Sequence, residues 1–176
     1  MVLNKKSVIP FPIEEVYLAM RDHMPELAEY MPNIESIDVQ KREEIGSDEL
    51  KLINRWNAAS TEIPKVARPF VKPDKTYWLD HAHWENSKYR CNWSLEMGFM
   101  PDRIKCEGFT DYVAIADDKT EMRISGKLEL HLKGLVPRFF LGKATSGIEK
   151  FVGGLVQPNF QKTSDALTAF LRAQSS

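Results

Sequence analysis

The sequence is poor in cysteine, with only Cys91 and Cys106 among 176 residues. Their spacing does not form a Cys-x-x-Cys motif, and two cysteines are too few for a disulfide framework. Lys and Arg total 24 against 25 Asp and Glu, and no run of basic residues stands out. Because phosphate binding needs a concentrated positive surface, nucleic acid is not expected as a partner. The low cysteine content predicts a reducing, cytoplasmic location.

Long apolar runs and phosphate-binding loops are also missing. No window approaches the ~20 apolar residues of a membrane-spanning helix, and the N-terminal MVLNKKSVIPFP has no apolar segment of the signal-peptide kind. Gly153-Gly154 lies within a helical pattern instead of following a strand, so a dinucleotide or phosphate cradle is not predicted. The length favours a single domain over residues 1–176 with its own core.

Hydrophobic periodicity divides the chain into three parts. A strand at 4–9 precedes two short helices, which begin near Pro12 and Pro25. From 34 to 132 the apolar residues alternate, as is typical of antiparallel strands with one covered and one wet face. From about 137 to 173 the helical period returns, and Gly153, Gly154 and Pro158 predict a bend in this long helix.

This order of elements predicts an α+β fold, in which a curved antiparallel sheet of about seven strands wraps on the long C-terminal helix. The segment IPFPIEEVYLAM at 9–20 is similar to the phenylalanine-x-x-glutamate-x-valine helix entry of the START-like (SRPBCC, Bet v 1-like) superfamily. MRISGKLELHL at 122–132, followed by the final helix, also resembles that superfamily. The resemblance implies a helix-grip fold with a cavity for an apolar ligand, and it supplies no catalytic motif.

The insert IPKVARPFVKP at 63–73 looks like that of an uncharacterised bacterial branch of the superfamily, and more distantly like PRELI-type phospholipid carriers. Its Lys65, Arg68 and Lys72 alternate with apolar residues. Two interpretations stay open: a lid that makes transient contact with a membrane surface, or a solvated loop held down by Phe70.

The predicted ligand-binding residues are large interior side chains of the sheet, polar neighbours near the cavity and part of the apolar stripe of the last helix. They are Asn54, Trp56, Tyr77, His81, His83, Cys91, Trp93, Met97, Phe151 and Leu155. Asn54 and Arg55 flank Trp56, so whichever of the two points inward needs a polar partner. The helical members fit ordinary core packing as well as ligand contact.

The segment LDHAHW at 79–84 raises the question of a metal or catalytic site. On a strand, His81 and His83 share a face with Tyr77 and Leu79, while Asp80 lies on the other face, with Trp78, Ala82 and Trp84. A metal site needs further ligands from elsewhere, and none is evident, so no metal and no cofactor is expected. The two histidines are predicted to lie at the wall or rim of the cavity.

The leading hypothesis is a non-enzymatic carrier or sensor that binds a small hydrophobic molecule or lipid between the sheet and the C-terminal helix. The alternative is an enzyme of the cyclase or dehydratase kind, in which His81, His83 or Asp80 transfers a proton within the same cavity. A third hypothesis is a partner-binding domain, which would have a filled core and an exposed apolar patch. The sequence leaves the oligomeric state open.

Overall fold

A computed structural model describes residues 1–59, 74, 76–99, 101–131 and 141–175, without most side chains between 141 and 159. The described elements are, in chain order, β1 (Val2–Ile9), α1 (Ile13–Asp22), α2 (Met24–Leu27), β2 (Ile34–Ile45), β3 (Glu49–Ala58), β4 (Tyr77–Glu85), β5 (Arg90–Met97), β6 (Ile104–Ala116), β7 (Lys119–Leu130) and α3 (Leu141–Gln174). The predicted α+β helix-grip fold is confirmed, with the short helices following the first strand. The insert at 63–73 lies outside the described residues.

The strands form one antiparallel sheet in the order β1-β7-β6-β5-β4-β3-β2. From β2 to β7 each strand pairs with its neighbour in sequence, while β1 pairs with β7 along the whole of its length, from Val2 opposite Lys127 to Ile9 opposite Thr120. The first strand therefore lies beside the last, which brings α1 and α2 across the inner face of the sheet near the C-terminal part of α3.

Prolines and acidic residues determine where the two short helices begin. Pro12 precedes α1, Glu14 and Glu15 occupy its first turn, where negative charge favours the helix dipole, and Val16 and Tyr17 are buried on its inner side. Pro25 lies at the start of α2, where its missing N–H costs nothing. These helices supply one wall of the molecule's interior.

Helix α3 closes the open face of the sheet. It runs through Gly153, Gly154 and Pro158, and the bend expected there stays a prediction. Its last turns bury Ala166, Leu167, Phe170 and Leu171, which join residues of β1, α1 and α2 in the core. Among the described residues no helix is long and apolar enough to cross a membrane.

Strict alternation on β3, β4 and β5 decides which side chains face α3. The register places Asn54 opposite Asp80 and Trp56 opposite Trp78, so these four side chains share the inner face. In the pairing of β4 with β5, Asp80 is opposite Leu95, which is on the inner face as well.

Candidate functional site

A cavity of about 100 Å³ lies between the inner face of the sheet and the helices. It extends from α1 and α2 across β3 to β7 and ends at α3. The lining side chains are mostly apolar or aromatic: Met20, Met24, Trp56, Trp78, Asp80, Trp84, Cys91, Trp93, Leu95, Met97, Thr110, Tyr112, Met122, Ile124, Phe160 and Thr163. The sheet and helices therefore pack into a core but leave a space in part of the interior.

Aromatic rings form much of the cavity wall. Trp56 and Trp78 stack with ring centroids 5.5 Å apart and planes at 20°. Trp84 stacks on Tyr112 at 6.1 Å, and Tyr17 of α1 packs edge-on against both of these rings, at 5.3 and 5.4 Å. Such contacts fix the ring orientations more firmly than apolar burial alone. The wall thus presents pre-positioned π surfaces.

The Trp93 ring packs directly against the backbone of two glycines on the neighbouring strands. Gly108 and Gly126 are opposite each other on β6 and β7, and a Cβ atom at either position would approach the Trp93 ring to 2.6 Å. The indole Nε1 donates a hydrogen bond to Thr110 Oγ1 at 3.1 Å, and the ring contacts Phe160 of α3 with centroids 5.9 Å apart. The absence of side chains at the two glycines therefore lets this large ring lie close to the sheet.

Asp80 places a carboxyl group in this apolar wall. The residue keeps some accessible surface where it lines the cavity, but Oδ1 is shielded and has no hydrogen-bond partner. Burial raises the pKa of Asp80 to about 7, against smaller opposing effects of His81, Asn54 and Trp56. Removing the carboxylate from water disfavours its charged form. At neutral pH the group is therefore divided between its acid and its carboxylate.

Three further polar atoms on the inner face of β3 and β4 are buried without a hydrogen-bond partner. They are Asn54 Oδ1, which can accept a hydrogen bond, and the Nε1 atoms of Trp56 and Trp84, which can donate one. Buried polar groups without partners are uncommon because each costs about 1–3 kcal/mol. Asn54 lies opposite Asp80 and Trp56 two residues further along β3, whereas Trp84 lies four residues from Asp80 on β4. The Asp80 carboxyl, which lines the cavity, therefore offers a polar contact to a ligand within an otherwise apolar wall.

Cys91 lines the cavity but does not have the environment of a nucleophile. Its side chain is buried, and burial, together with the charge of Asp80, holds the pKa of the thiol well above its usual value. Reactive cysteines have the opposite environment, with nearby positive charge and a lowered pKa. Cys91 therefore contributes a small apolar surface to the wall.

The predicted ligand-binding residues separate into three groups in the structure. Trp56, Cys91, Trp93 and Met97 line the cavity, and Asn54 is buried on the same inner face beside Asp80. Phe151 and Leu155 belong to α3, but their side chains lie outside the described residues.

Tyr77, His81 and His83 are placed by the structure on the outer face of the sheet instead of at the cavity. His81 Nε2 lies 3.3 Å from Glu96 Oε2, and His83 Nε2 lies 2.7 Å from Glu49 Oε2. The Tyr77 ring lies beneath the Arg55 guanidinium at 3.8 Å. The physical reason is the phase of β4: its inner positions are taken by Trp78, Asp80, Ala82 and Trp84.

Neither histidine takes part in a metal-type cluster. Across the described ranges, no three His, Cys, Asp or Glu side chains come together as metal ligands would. His81 and His83 each form a partly exposed pair with one glutamate, of the kind that contributes little to stability.

Twelve of the described lining residues were not among the predicted set: Met20, Met24, Trp78, Asp80, Trp84, Leu95, Thr110, Tyr112, Met122, Ile124, Phe160 and Thr163. A signal for Asp80 was present in the sequence. In LDHAHW it shares its strand face with two tryptophans, and an acid on such a face is buried with aromatic neighbours. The contributions of Met20 and Met24 depend on how α1 and α2 cross the sheet, which the local pattern does not encode.

Comparison of the whole structure with solved structures identifies the fold. The protein TTHA0849 from Thermus thermophilus matches with a TM-score of 0.68 at 22% identity, covering 100% of both chains. The Zhui aromatase/cyclase from Streptomyces sp. R1128 matches with a TM-score of 0.69 at 9% identity, covering 100% of this chain and 96% of that one. Norcoclaurine synthase from Thalictrum flavum, in complex with dopamine and hydroxybenzaldehyde, matches with a TM-score of 0.63 at 13% identity, covering 100% and 88%.

No protein-family model and no curated protein sequence matches the chain. These three structures, each below 25% identity, establish the fold: this protein has the START-like, Bet v 1-like helix-grip fold, as the sequence predicted. Proteins with this fold include aromatase/cyclases and a synthase solved with small aromatic molecules.

Proposed function

We propose that the protein binds a small apolar molecule with at least one ring in the cavity between the sheet and α3. The observation that carries the proposal is the cavity itself, whose wall of indole, phenol, thioether and aliphatic groups surrounds one carboxyl. A domain that only had to fold would be more stable with this space filled, since cavities in cores are destabilising.

Apolar burial alone would give weak binding. A ring that loses about 150 Å² of apolar surface gains about 4 kcal/mol. Because the loss of translational and rotational freedom opposes binding, the dissociation constant from burial alone would be no better than ~1 mM. Tighter binding needs polar contacts as well, and the Asp80 carboxyl, which lines the cavity, supplies one. Ligand pockets commonly combine an apolar wall with a few polar groups that orient the ligand.

The comparisons support the same class of ligand. Norcoclaurine synthase, which shares the fold, was solved with dopamine and hydroxybenzaldehyde, both small aromatic molecules. Lipids stay within the broader proposal of a carrier, but the volume of about 100 Å³ favours a compact ring over a long acyl chain.

The test uses two leucines that are both partly buried and lie on opposite faces of the sheet. Leu95 lines the cavity, whereas Leu79 lies on the outer face of β4. Native mass spectrometry of the purified protein, followed by calorimetric titration with a panel of ring compounds, should detect binding to the wild type and to Leu79→Trp. Leu95→Trp fills the cavity and should abolish binding of the ring compounds. If Leu79→Trp and Leu95→Trp bound the ring compounds equally well, the binding site would lie outside the cavity.

A second candidate function is proton transfer within the same cavity, as in a cyclase or dehydratase. The observation that favours it is Asp80, whose pKa of about 7 suits a group that must both accept and donate a proton. His81 and His83 lie on the outer face, so this version of the hypothesis rests on Asp80 instead of the histidines.

The enzymatic alternative has its own readout. Short poly-β-carbonyl compounds would be assayed for ring closure or loss of water, with Asp80→Asn as the test variant. Catalysis predicts at least a ~100-fold lower kcat with substrate binding retained, because general acid–base groups contribute 10²–10⁴-fold. Binding without turnover by the wild type would support the carrier.

A further inference from the structure

We propose that the ligand carries a protonated amine, which binds the Asp80 carboxylate beside the stacked rings of Trp56 and Trp78. This inference rests on the proposed binding function and adds the chemical class of the ligand. It depends on the charge of Asp80, the π surfaces beside it and the unpaired polar atoms of the inner face.

The first argument is the sign of the charge. Among the described lining residues, Asp80 alone has an acidic or basic side chain. Arg21, the basic residue of α1, donates its hydrogen bonds to Asp22 and Asn86 instead. A buried carboxylate without a positive partner is unstable, and a ligand cation supplies that partner. An anionic ligand would meet the like charge of Asp80 in a weakly screened site.

The second argument is the aromatic wall. The faces of tryptophan rings carry negative potential and attract cations, with tryptophan the most effective of the aromatic side chains. Trp56 and Trp78 are stacked beside Asp80, with Trp56 opposite Trp78 and Asp80 two residues further along β4. A cation placed at the carboxylate therefore gains from these rings as well.

The third argument is the set of unpaired atoms. Asp80 lines the cavity, and its Oδ1 and the neighbouring Asn54 Oδ1 are shielded acceptors that lack donors in the free protein. An ammonium group offers up to three N–H donors and can satisfy the carboxyl from the cavity side, reaching the shielded oxygens if the side chains rotate. Trp56 lowers the pKa of Asp80 and so favours the charged form, although its Nε1 does not complete a hydrogen bond. Trp84 Nε1 is left as a donor, which suits a hydroxyl or carbonyl oxygen elsewhere on the same ligand.

The experiment compares two ring compounds that differ only in the charged group: 2-aminoindane, which is protonated at pH 7, and indan-2-ol, which is neutral. Both would be titrated by calorimetry into the wild type, into Asp80→Asn and into Glu96→Gln. Asp80→Asn keeps the size of the side chain and removes its charge. Glu96→Gln removes a carboxylate from the exposed outer face of β5 and controls for general charge effects.

The expected result is that the wild type and Glu96→Gln bind the amine at least tenfold more tightly than the alcohol. In Asp80→Asn this preference should disappear, while the alcohol still binds, which also shows that the cavity is intact. Equal affinity of the wild type for both compounds would overturn the amine assignment and leave the proposed binding function standing. Failure of the wild type to bind either compound or any other ring compound would overturn both.

Proton release provides a second readout. A bound cation stabilises the carboxylate, so binding of the amine at pH 6 should release close to one proton, measured by calorimetry in two buffers of different ionisation enthalpy. The other titratable groups near Asp80 are Cys91 and Tyr112, whose pKa values burial holds well above neutrality, and His81 on the outer face. Asp80→Asn should release none. Equal release by both proteins would overturn the role of Asp80.

Discussion

Asp80 and His81 are neighbours in the chain, yet they lie on opposite faces of β4. The Asp80 carboxyl lines the cavity, whereas His81 Nε2 lies 3.3 Å from Glu96 Oε2 on the outer face. This difference of one residue decides which of the ionisable side chains in LDHAHW can reach a bound molecule.

The first prediction concerns the two histidines. The double variant His81→Ala, His83→Ala should bind ring compounds with affinity within about twofold of the wild type, because the partly exposed pairs with Glu96 and Glu49 contribute little beyond the surface. Calorimetric titration measures this directly. A loss of tenfold or more would show that the outer face takes part in binding.

Much of this arrangement was predictable from alternation alone. The period of two places Trp56, Trp93 and Met97 on a covered face, and it separates Asp80 from His81 whatever the rest of the fold. Alternation does not say which of the two faces is covered when both carry aromatic or ionisable groups. On β4, one face carries Trp78 and Trp84 and the other carries Tyr77 and Leu79, so either face could be the covered one. The pairing of β4 with β3 and β5 determines that the tryptophan face points inward.

Other features depend on contacts far apart in sequence. The Trp93 side chain of β5 packs against Gly108 of β6 and Gly126 of β7. The sequence around either glycine does not indicate this contact. The pairing of β1 with β7 likewise brings α1 and α2 to the cavity from the opposite end of the chain. Long-range contacts of this kind are the part that a local pattern cannot supply.

The second prediction concerns the pH dependence of stability. The pKa of Asp80 is raised to about 7 in the folded protein from 3.8, so the folded state binds more protons than the unfolded state between these values. Stability should therefore fall as pH rises from about 4 to about 7 and change no further through this group. Above pH 7 the cost is on the order of 2–4 kcal/mol.

The variant Asp80→Asn isolates this effect. Its free energy of unfolding, measured with urea in the absence of ligand, should equal that of the wild type near pH 4 and exceed it by about 2–4 kcal/mol at pH 8. Glu96→Gln, on the exposed face, should follow the wild-type curve. Parallel curves for the wild type and Asp80→Asn would contradict the raised pKa.

The third prediction concerns the thiols. Burial raises the pKa of Cys106 to about 12 and that of Cys91 well above its usual value, so neither is appreciably ionised at pH 8. The folded protein should react with a thiol-specific disulfide reagent at least ~100-fold more slowly than a free cysteine does, because the thiolate is the reactive form. Ser94→Cys, exposed on β5, provides a reactive control.

Unfolding the protein in guanidinium should release both thiols for rapid reaction. Rapid modification of Cys91 in the folded wild type would contradict the buried, apolar environment of this thiol.

The fourth prediction concerns the contact between Trp93 and Gly126. A methyl group at Gly126 would lie 2.6 Å from Trp93 Cη2 and 2.9 Å from the Glu107 carbonyl oxygen, so the indole would have to move. Gly126→Ala should lower the free energy of unfolding by about 1–3 kcal/mol, the usual cost of overpacking. It should also weaken binding of ring compounds, because the displaced indole enters the cavity.

Two further variants separate this clash from other effects of replacing glycine. Gly147→Ala in α3 has no atom within 4 Å of the added methyl group, and it should stabilise the protein by about 0.5–1 kcal/mol through helix propensity. Shortening the ring with Trp93→Phe should make Gly126→Ala less costly, since the closest contacts are with the outer indole atoms Cη2 and Cζ2. Urea unfolding of Gly126→Ala, of Trp93→Phe and of the double variant gives the coupling energy between the two positions. A coupling near zero would mean that the Glu107 backbone, and not the indole, limits the space at Gly126.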